Sequence, residues 1–207
     1  ASGLVLGTLG YTHCCIEDVG VLRSIPEITI ISPSDSFELC KSLEAAIKHD
    51  KSVYIRLTGG ANNPIVNEDD YKFEIGKSIK IKSGKDLTIF ATGSSVFQAV
   101  EAANVLENQN ISCSVINIHT IKPIDKDVIT QSLKNSKLLV TVEEHNVIGG
   151  LGSAVSEVIS EQPASVPLLK IGVKDYYSKG GTYKYLLEKH GLNSKKIVEN
   201  IHNHLKK

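Results

Sequence analysis

From Leu87 to Val173 apolar strand-like runs alternate with amphipathic helical stretches, and this alternation restricts the fold more than any other feature of the chain. Leu87 to Ala91, Cys113 to Ile118, Leu138 to Val142 and Leu168 to Val173 read as buried strands. Between the first two, Val96, Ala99, Val100, Ala103 and Leu106 share one helix face. Further helices are expected around Val128 to Leu133 and Ala154 to Ile159. Strands and helices in that order predict an α/β fold, a mostly parallel sheet covered on both faces. Two short helices then close the chain, one starting near Thr182 and one capped by Asn193 or Ser194.

Upstream the pattern is shorter. Thr12 to Ile25 reads as a helix stopped by Pro26, and Ile28 to Ile31 as a short buried strand. Asp35 followed by Glu38 resembles a capping box, and Phe37, Leu39, Leu43, Ala46 and Ile47 supply an apolar helix face. Val53 to Leu57 is the next strand, ended by Thr58-Gly59-Gly60. Helix, strand, helix, strand over residues 1–60 is a parallel piece too small to close its own core. Residues 61–75 carry turn chemistry, such as Asn63-Pro64, and read as a linker. Phe73 to Lys82 alternates like a strand leading into a second domain over residues 76–207. The Gly-rich, Met-less start suggests processing, truncation or an upstream part.

Charge narrows the partners. Lys plus Arg and Asp plus Glu are each 23, so no net field favours nucleic acid or an anionic membrane. No apolar run approaches the ~20 residues of a membrane span. Cys14, Cys15, Cys40 and Cys113 match neither a zinc spacing nor a disulfide framework, which points to a reducing, cytoplasmic setting. A small-molecule substrate is the expected ligand, with no metal site in the chain.

Three stretches could carry chemistry. Gly149-Gly150-Leu151-Gly152 follows a strand and opens a helix, a context in which backbone amides can hold phosphate. Its spacing departs from the dinucleotide fingerprint, because Val155 stands where a small residue is needed, so a tight packing turn is the competing reading. Thr12-His13-Cys14-Cys15 places an imidazole beside two thiols, without a fourth metal ligand at a familiar spacing. Arg56 lies at a strand's carboxyl end, where ligands bind in open α/β sheets, and a structural ion pair is the alternative. Glu143, Glu144 and His145 stand at another strand end, suited to acid–base work or to an ion-paired interface.

Taken as strings, these stretches are colinear with one known family. Thr12-His13, Ile16-Glu17-Asp18, Leu22-Arg23-Ser24-Ile25-Pro26, Pro33-Ser34-Asp35 and Tyr54-Ile55-Arg56-Leu57 resemble a transketolase stretch. So do Ala91-Thr92-Gly93-Ser94, Ile116-Asn117, Thr120-Ile121-Lys122-Pro123-Ile124-Asp125 and Glu143-Glu144-His145 through Gly152. The chain is most similar to the C-terminal subunit of split transketolases. The resemblance implies the C-terminal portion of a thiamine-diphosphate pyrimidine-binding domain over 1–60, a linker over 61–75 and a transketolase C-terminal domain over 76–207. It implies two-carbon ketol transfer with thiamine diphosphate and Mg2+, bound mainly by parts outside this chain. It assigns His13 to catalysis and substrate binding, Arg56 to substrate binding, and no cofactor-binding residue here. Partners would be an N-terminal transketolase section or subunit, in a homodimer or heterotetramer formed through the C-terminal domain.

Two departures bear on substrate. Leu9 stands where the family usually has an acid, and Gly59 where it usually has a phosphate-reading arginine. Both suggest an atypical substrate. Rival readings are a 2-oxoacid dehydrogenase E1 β-like subunit, a deoxyxylulose-phosphate-synthase-like subunit and a non-catalytic assembly subunit.

Overall fold

The alternating strands build one five-stranded sheet. The computed structural model describes residues 1–60, 63–66, 71–163 and 166–206. Strands β4 (Leu87–Ala91), β5 (Cys113–Asn117), β7 (Leu138–Asn146) and β8 (Leu168–Val173) are parallel, and β3 (Ile79–Lys82) adds antiparallel to β5. Their spatial order is β3-β5-β4-β7-β8. Every residue of β4 and β5 is buried, as a strand covered on both faces requires. One face packs Leu87, Ile89, Val115 and Val140 against helices α3 (Ser95–Glu107) and α7 (Ser194–Leu205). The other packs Phe90, Ile116 and Leu139 against α4 (Lys126–Asn135) and α5 (Leu151–Ser160). The expected caps form: the Thr182 side chain accepts from Tyr185 at the start of α6 (Tyr183–Lys189), and Asn193 caps α7.

The first sixty residues form a second, smaller sheet. β1 (Thr29–Ile31) pairs parallel to β2 (Val53–Ile55) and antiparallel to β6 (Thr120–Lys122). The strand β6, contributed from far along the chain, has no periodicity of its own to reveal it. It ties the two sheets together, since Ile121 and Ala154 share a core with Val19 and Ile30.

Three expectations fail here: the strand expected over Phe73 to Lys82 is confined to β3, a turn at Ile75 and Gly76 interrupting the run before it, and two helices differ. The helix over Thr12 to Ile25 shrinks to α1 (Asp18–Leu22), preceded by a single 3-10 turn at Tyr11–His13. Cys14 is extended at φ −115°, the Gly3 amide donates to the Cys15 carbonyl and the Cys15 amide to the Ala1 carbonyl, so helical pairing is not available there. In α2 (Ser36–Ile47) the cap is as expected, with Asp35 accepting from the Glu38 amide at 2.8 Å. Its apolar face, however, is exposed: Phe37 by 39%, Leu43 by 45% and Ile47 by 84%. The side that packs inward presents Glu38 and Ser42, with Glu38 accepting from Asn117 Nδ2, the Tyr71 hydroxyl and the Ser34 amide. Of the linker residues, 61–62 and 67–70 lie outside the described residues. Among the described residues no helix is long and apolar enough to cross a membrane.

Candidate functional site

The carboxyl ends of β2 and β7 meet α1 in a buried polar cluster. Arg56, just past β2, is 1% exposed. Its Nε lies 2.8 and 3.0 Å from the two Asp18 oxygens, and its Nη2 donates to the carbonyls of Cys15 (3.2 Å) and Glu144 (3.1 Å). Tyr54 donates to the same Asp18 carboxylate at 2.9 Å. Burial alone would raise the Asp18 carboxyl; the Arg56 charge and hydrogen bonds outweigh it and hold the group below its usual range. A guanidinium with these partners organises the backbone on both sides of it.

His13 ends elsewhere. It lies at the close of the Tyr11–His13 turn, exposed, with its Nδ1 3.0 Å from the Thr12 hydroxyl. The two sequence-selected residues are thus joined only through the backbone at Cys15, and their side chains point to different environments. Leu9, four residues before His13, is 57% exposed and Tyr11 59%.

The glycine-rich turn resolves in favour of packing. Its helix N-terminus already holds an anion, because Glu143 accepts from the amides of Leu151 (2.6 Å) and Gly152 (2.8 Å). Burial pushes the Glu143 carboxyl up to about 7, although those two amides and Arg56 pull the other way. Glycine is needed twice. At Gly149 φ is +82° and an added Cβ would lie 2.7 Å from the Gly20 Cα, so α1 crosses here glycine on glycine. At Gly150 a Cβ would lie 2.0 Å from a Glu143 oxygen and 2.7 Å from His145 Nδ1. Gly150→Ala is therefore expected to lower stability by about 1–3 kcal/mol through overpacking, read as a drop in the urea or thermal midpoint.

His145 completes the cluster. Its Nδ1 donates to the Asn146 carbonyl at 2.8 Å, and Nε2 accepts from the Gly20 amide at 3.3 Å. Burial, then the Arg56 charge, lowers its pKa, which suits a neutral ring in that tautomer. Asp18 stands 3.8 Å away and Glu143 3.9 Å. The Glu143–Glu144–His145 run, expected to follow a strand, is its final extended segment instead. It works as an internal polar junction. Sequence reasoning selected the run and Arg56 separately but not their contact, since Asp18, Gly20 and Arg56 lie far away along the chain.

Comparison with known proteins places this geometry. The family model for the transketolase pyrimidine binding domain matches residues 2–63, and that for the transketolase C-terminal domain matches residues 76–197. The chain belongs to the transketolase family. It is 40% identical over 200 residues to the 6-deoxy-6-sulfo-D-fructose transketolase subunit SqwH of a Clostridium species, covering 97% of this chain and 62% of the relative. It is 36% identical over 199 residues to an apulose-4-phosphate transketolase subunit of Actinobacillus succinogenes, covering 96% and 64%. A solved structure described as a split gene transketolase, inactive beta4 tetramer, superposes with a TM-score of 0.85 at 37% identity, over 94% of this chain and 62% of that one. The chain therefore spans rather less than two thirds of these relatives, and its fold is the end of a pyrimidine-binding domain followed by a transketolase C-terminal domain.

Proposed function

We propose that this chain is the C-terminal share of a thiamine-diphosphate-dependent transketolase-like enzyme that transfers a two-carbon ketol unit. Residues 1–60 form its portion of the pyrimidine-binding domain, 61–75 a linker and 76–207 the C-terminal domain. The observation that carries the reading is the uncovered apolar face of α2, with Phe37, Leu43 and Ile47 in water. An upstream section or partner subunit, of the size by which the relatives exceed this chain, would cover that face and supply the rest of the active site. A cytoplasmic dimer or heterotetramer assembled through the C-terminal domain fits the same reading.

The cofactor does not fit the residues present. The glycine-rich N-terminus of α5 has two of its amides, those of Leu151 and Gly152, taken by Glu143. Among the described residues no cluster of three or more His, Cys, Asp or Glu is placed to hold a metal ion. Thiamine diphosphate supplies the carbanion chemistry where the rest of the enzyme binds it with Mg2+. This chain's contribution is to the sugar. The exposed His13 imidazole contacts the donor's hydroxyl groups, and Arg56 acts on the substrate side by holding the backbone at Cys15. His13→Ala in the complete enzyme should lower kcat/KM for the donor ketose on the order of 10- to 100-fold, with thiamine diphosphate affinity unchanged. Unaltered donor kinetics would exclude the role.

The substrate is atypical in this reading. Gly59 has φ +72°, and a Cβ there would lie 2.2 Å from the Asn63 side chain, which donates to the Thr58 carbonyl and accepts from the Gly60 amide. Asn63 fills the space a side chain at 59 would need, so an arginine could not stand at 59 without displacing it. The two relatives are named for different sugars, 6-deoxy-6-sulfo-D-fructose and apulose-4-phosphate. Turnover of standard phosphorylated ketose–aldose pairs should be poor beside that of unphosphorylated or sulfonated sugars. Efficient turnover of the standard pair would overturn the substrate assignment.

A further inference from the structure

The segment that carries His13 has little regular structure of its own. Between Gly3 and His13 it forms two single 3-10 turns. Besides backbone bonds among Ala1, Gly3, His13 and Cys15, its position is set by the C-terminal domain. The Leu4 amide donates to Glu144 Oε2 at 3.0 Å. The other oxygen of that carboxyl accepts from the Ser94 and Tyr183 hydroxyls. Glu144 is 2% exposed, and burial together with Glu144 keeps the Tyr183 phenol well above its usual range, so its proton stays available for donation. Gly3, at φ +75°, lets the backbone come this near, for a Cβ there would lie 2.6 Å from Glu144 Oε2.

A second fastening lies nearer the histidine. The Gly181 amide donates to the Gly7 carbonyl at 2.9 Å. A Cβ on Gly7 would lie 2.0 Å from Leu186 Cδ1, and one on Gly180 would lie 3.0 Å from the Gly7 carbonyl oxygen. Beyond it the Tyr177 ring leans on Tyr11 at 5.5 Å. Two points of the segment, Leu4 and Gly7, are thus held by one domain, and His13 follows six residues after the second.

We propose that Glu144 and Tyr183, with the Gly180–Gly181 strap, are positioning residues that seat the His13 turn against the C-terminal domain and so set the alignment of the donor sugar. The proposal rests on His13 as a donor contact and extends it: the C-terminal domain, which the resemblance credits with assembly, would also orient a substrate-contacting residue. A buried carboxyl suits this task, because one oxygen takes the Leu4 amide while the Ser94 and Tyr183 hydroxyls hold the other and fix its orientation.

The test uses the complete enzyme with Tyr183→Phe and Glu144→Gln, the first removing a single hydroxyl and the second placing an NH2 among three donors. Amide hydrogen exchange over residues 3–13 should speed by tenfold or more in both. Donor kcat/KM should fall about tenfold while the acceptor KM stays within twofold, the pattern of misaligned rather than unfolded enzyme. A double-mutant cycle of Tyr183→Phe with His13→Ala should be non-additive, the second loss being small once the first is made. Unchanged exchange, equal losses for donor and acceptor, or strictly additive effects would each overturn the proposal. Should His13→Ala alone leave donor kinetics intact, the donor reading of His13 falls instead, and the exchange measurement separates that failure from a failure of the seat.

Discussion

Arg56→Met is expected to destabilise the protein by about 3–5 kcal/mol, the range for removing one partner of a buried ion pair. The side chains of Arg56 and Asp18 are 1% and 7% exposed, so solvent cannot take over from the lost guanidinium. Asp18 would keep Tyr54 as a donor but lose both contacts to Nε, leaving a buried carboxylate with its charge unmatched. The carbonyls of Cys15 and Glu144 would each lose the Arg56 donor in the same step, Cys15 keeping only the Gly3 amide. The effect carries a pH signature. A carboxyl held below its ordinary 3.8 contributes stability that is present above that value and lost as pH falls through the depressed folded one. The penalty of Arg56→Met should therefore be largest near neutral pH and shrink as pH falls, first as burial lets the unpaired Asp18 take up a proton above the ordinary 3.8, then as the wild-type pair is lost below it. The double variant Asp18→Asn/Arg56→Met should recover part of the loss at pH 7, because no lone charge remains. Urea midpoints of the three proteins measure this, and a single-variant loss below 1 kcal/mol would show the pair to be dispensable.

That ion pair also marks where sequence reading reaches its limit. β4 was legible to the residue, because a strand buried on both faces is written as a continuous apolar run and needs no partner to be recognised; the edge strand β8 kept its expected bounds although Lys170 within it is exposed. The caps at Asp35 and Thr182 were also legible, being local hydrogen bonds within three residues, and that of α7 was narrowed to Asn193 or Ser194. Long-range pairing was not. The periodicity of α2 identified an apolar face correctly and its burial wrongly, since Glu38 gains inward partners from Asn117 and Tyr71 while the apolar face stays in water. The short β6 exists because β1 offers an edge, a fact recorded nowhere near Thr120. The same holds in the candidate site. His13 and the Glu143–His145 run could be singled out as strings, whereas Tyr183, 39 positions beyond Glu144, carried no signal of its contact with it. Arg56 was placed by the rule that strand ends face ligands, and here the strand end faces α1.

His119 supplies the second large effect. The ring is 1% exposed, stacks on Phe73 with centroids 4.1 Å apart, and sets Nδ1 2.9 Å from the Thr120 hydroxyl. Burial lowers its pKa from the ordinary 6.5 to about 4. The unfolded chain accepts a proton as pH falls below 6.5, whereas the folded one resists until about 4, so acidification across that window favours unfolding. The contribution is thus complete above the unfolded value, and of the order of 3 kcal/mol is lost by the lower end, at ~1.4 kcal/mol per pH unit. Glu143 works in the opposite sense, because its raised carboxyl makes the folded state the better proton binder between the ordinary 4.5 and about 7. Comparing wild type with His119→Leu cancels that opposing term, which both proteins share. At pH 7.5 the variant should be the less stable, through the lost ring stacking and the orphaned Thr120 hydroxyl. At pH 4 its deficit should shrink by up to about 3 kcal/mol, since leucine has no proton to refuse. Urea unfolding at the two pH values reads the difference directly. An equal deficit at both would mean that water reaches the ring, and that the stack on Phe73 does not keep His119 neutral.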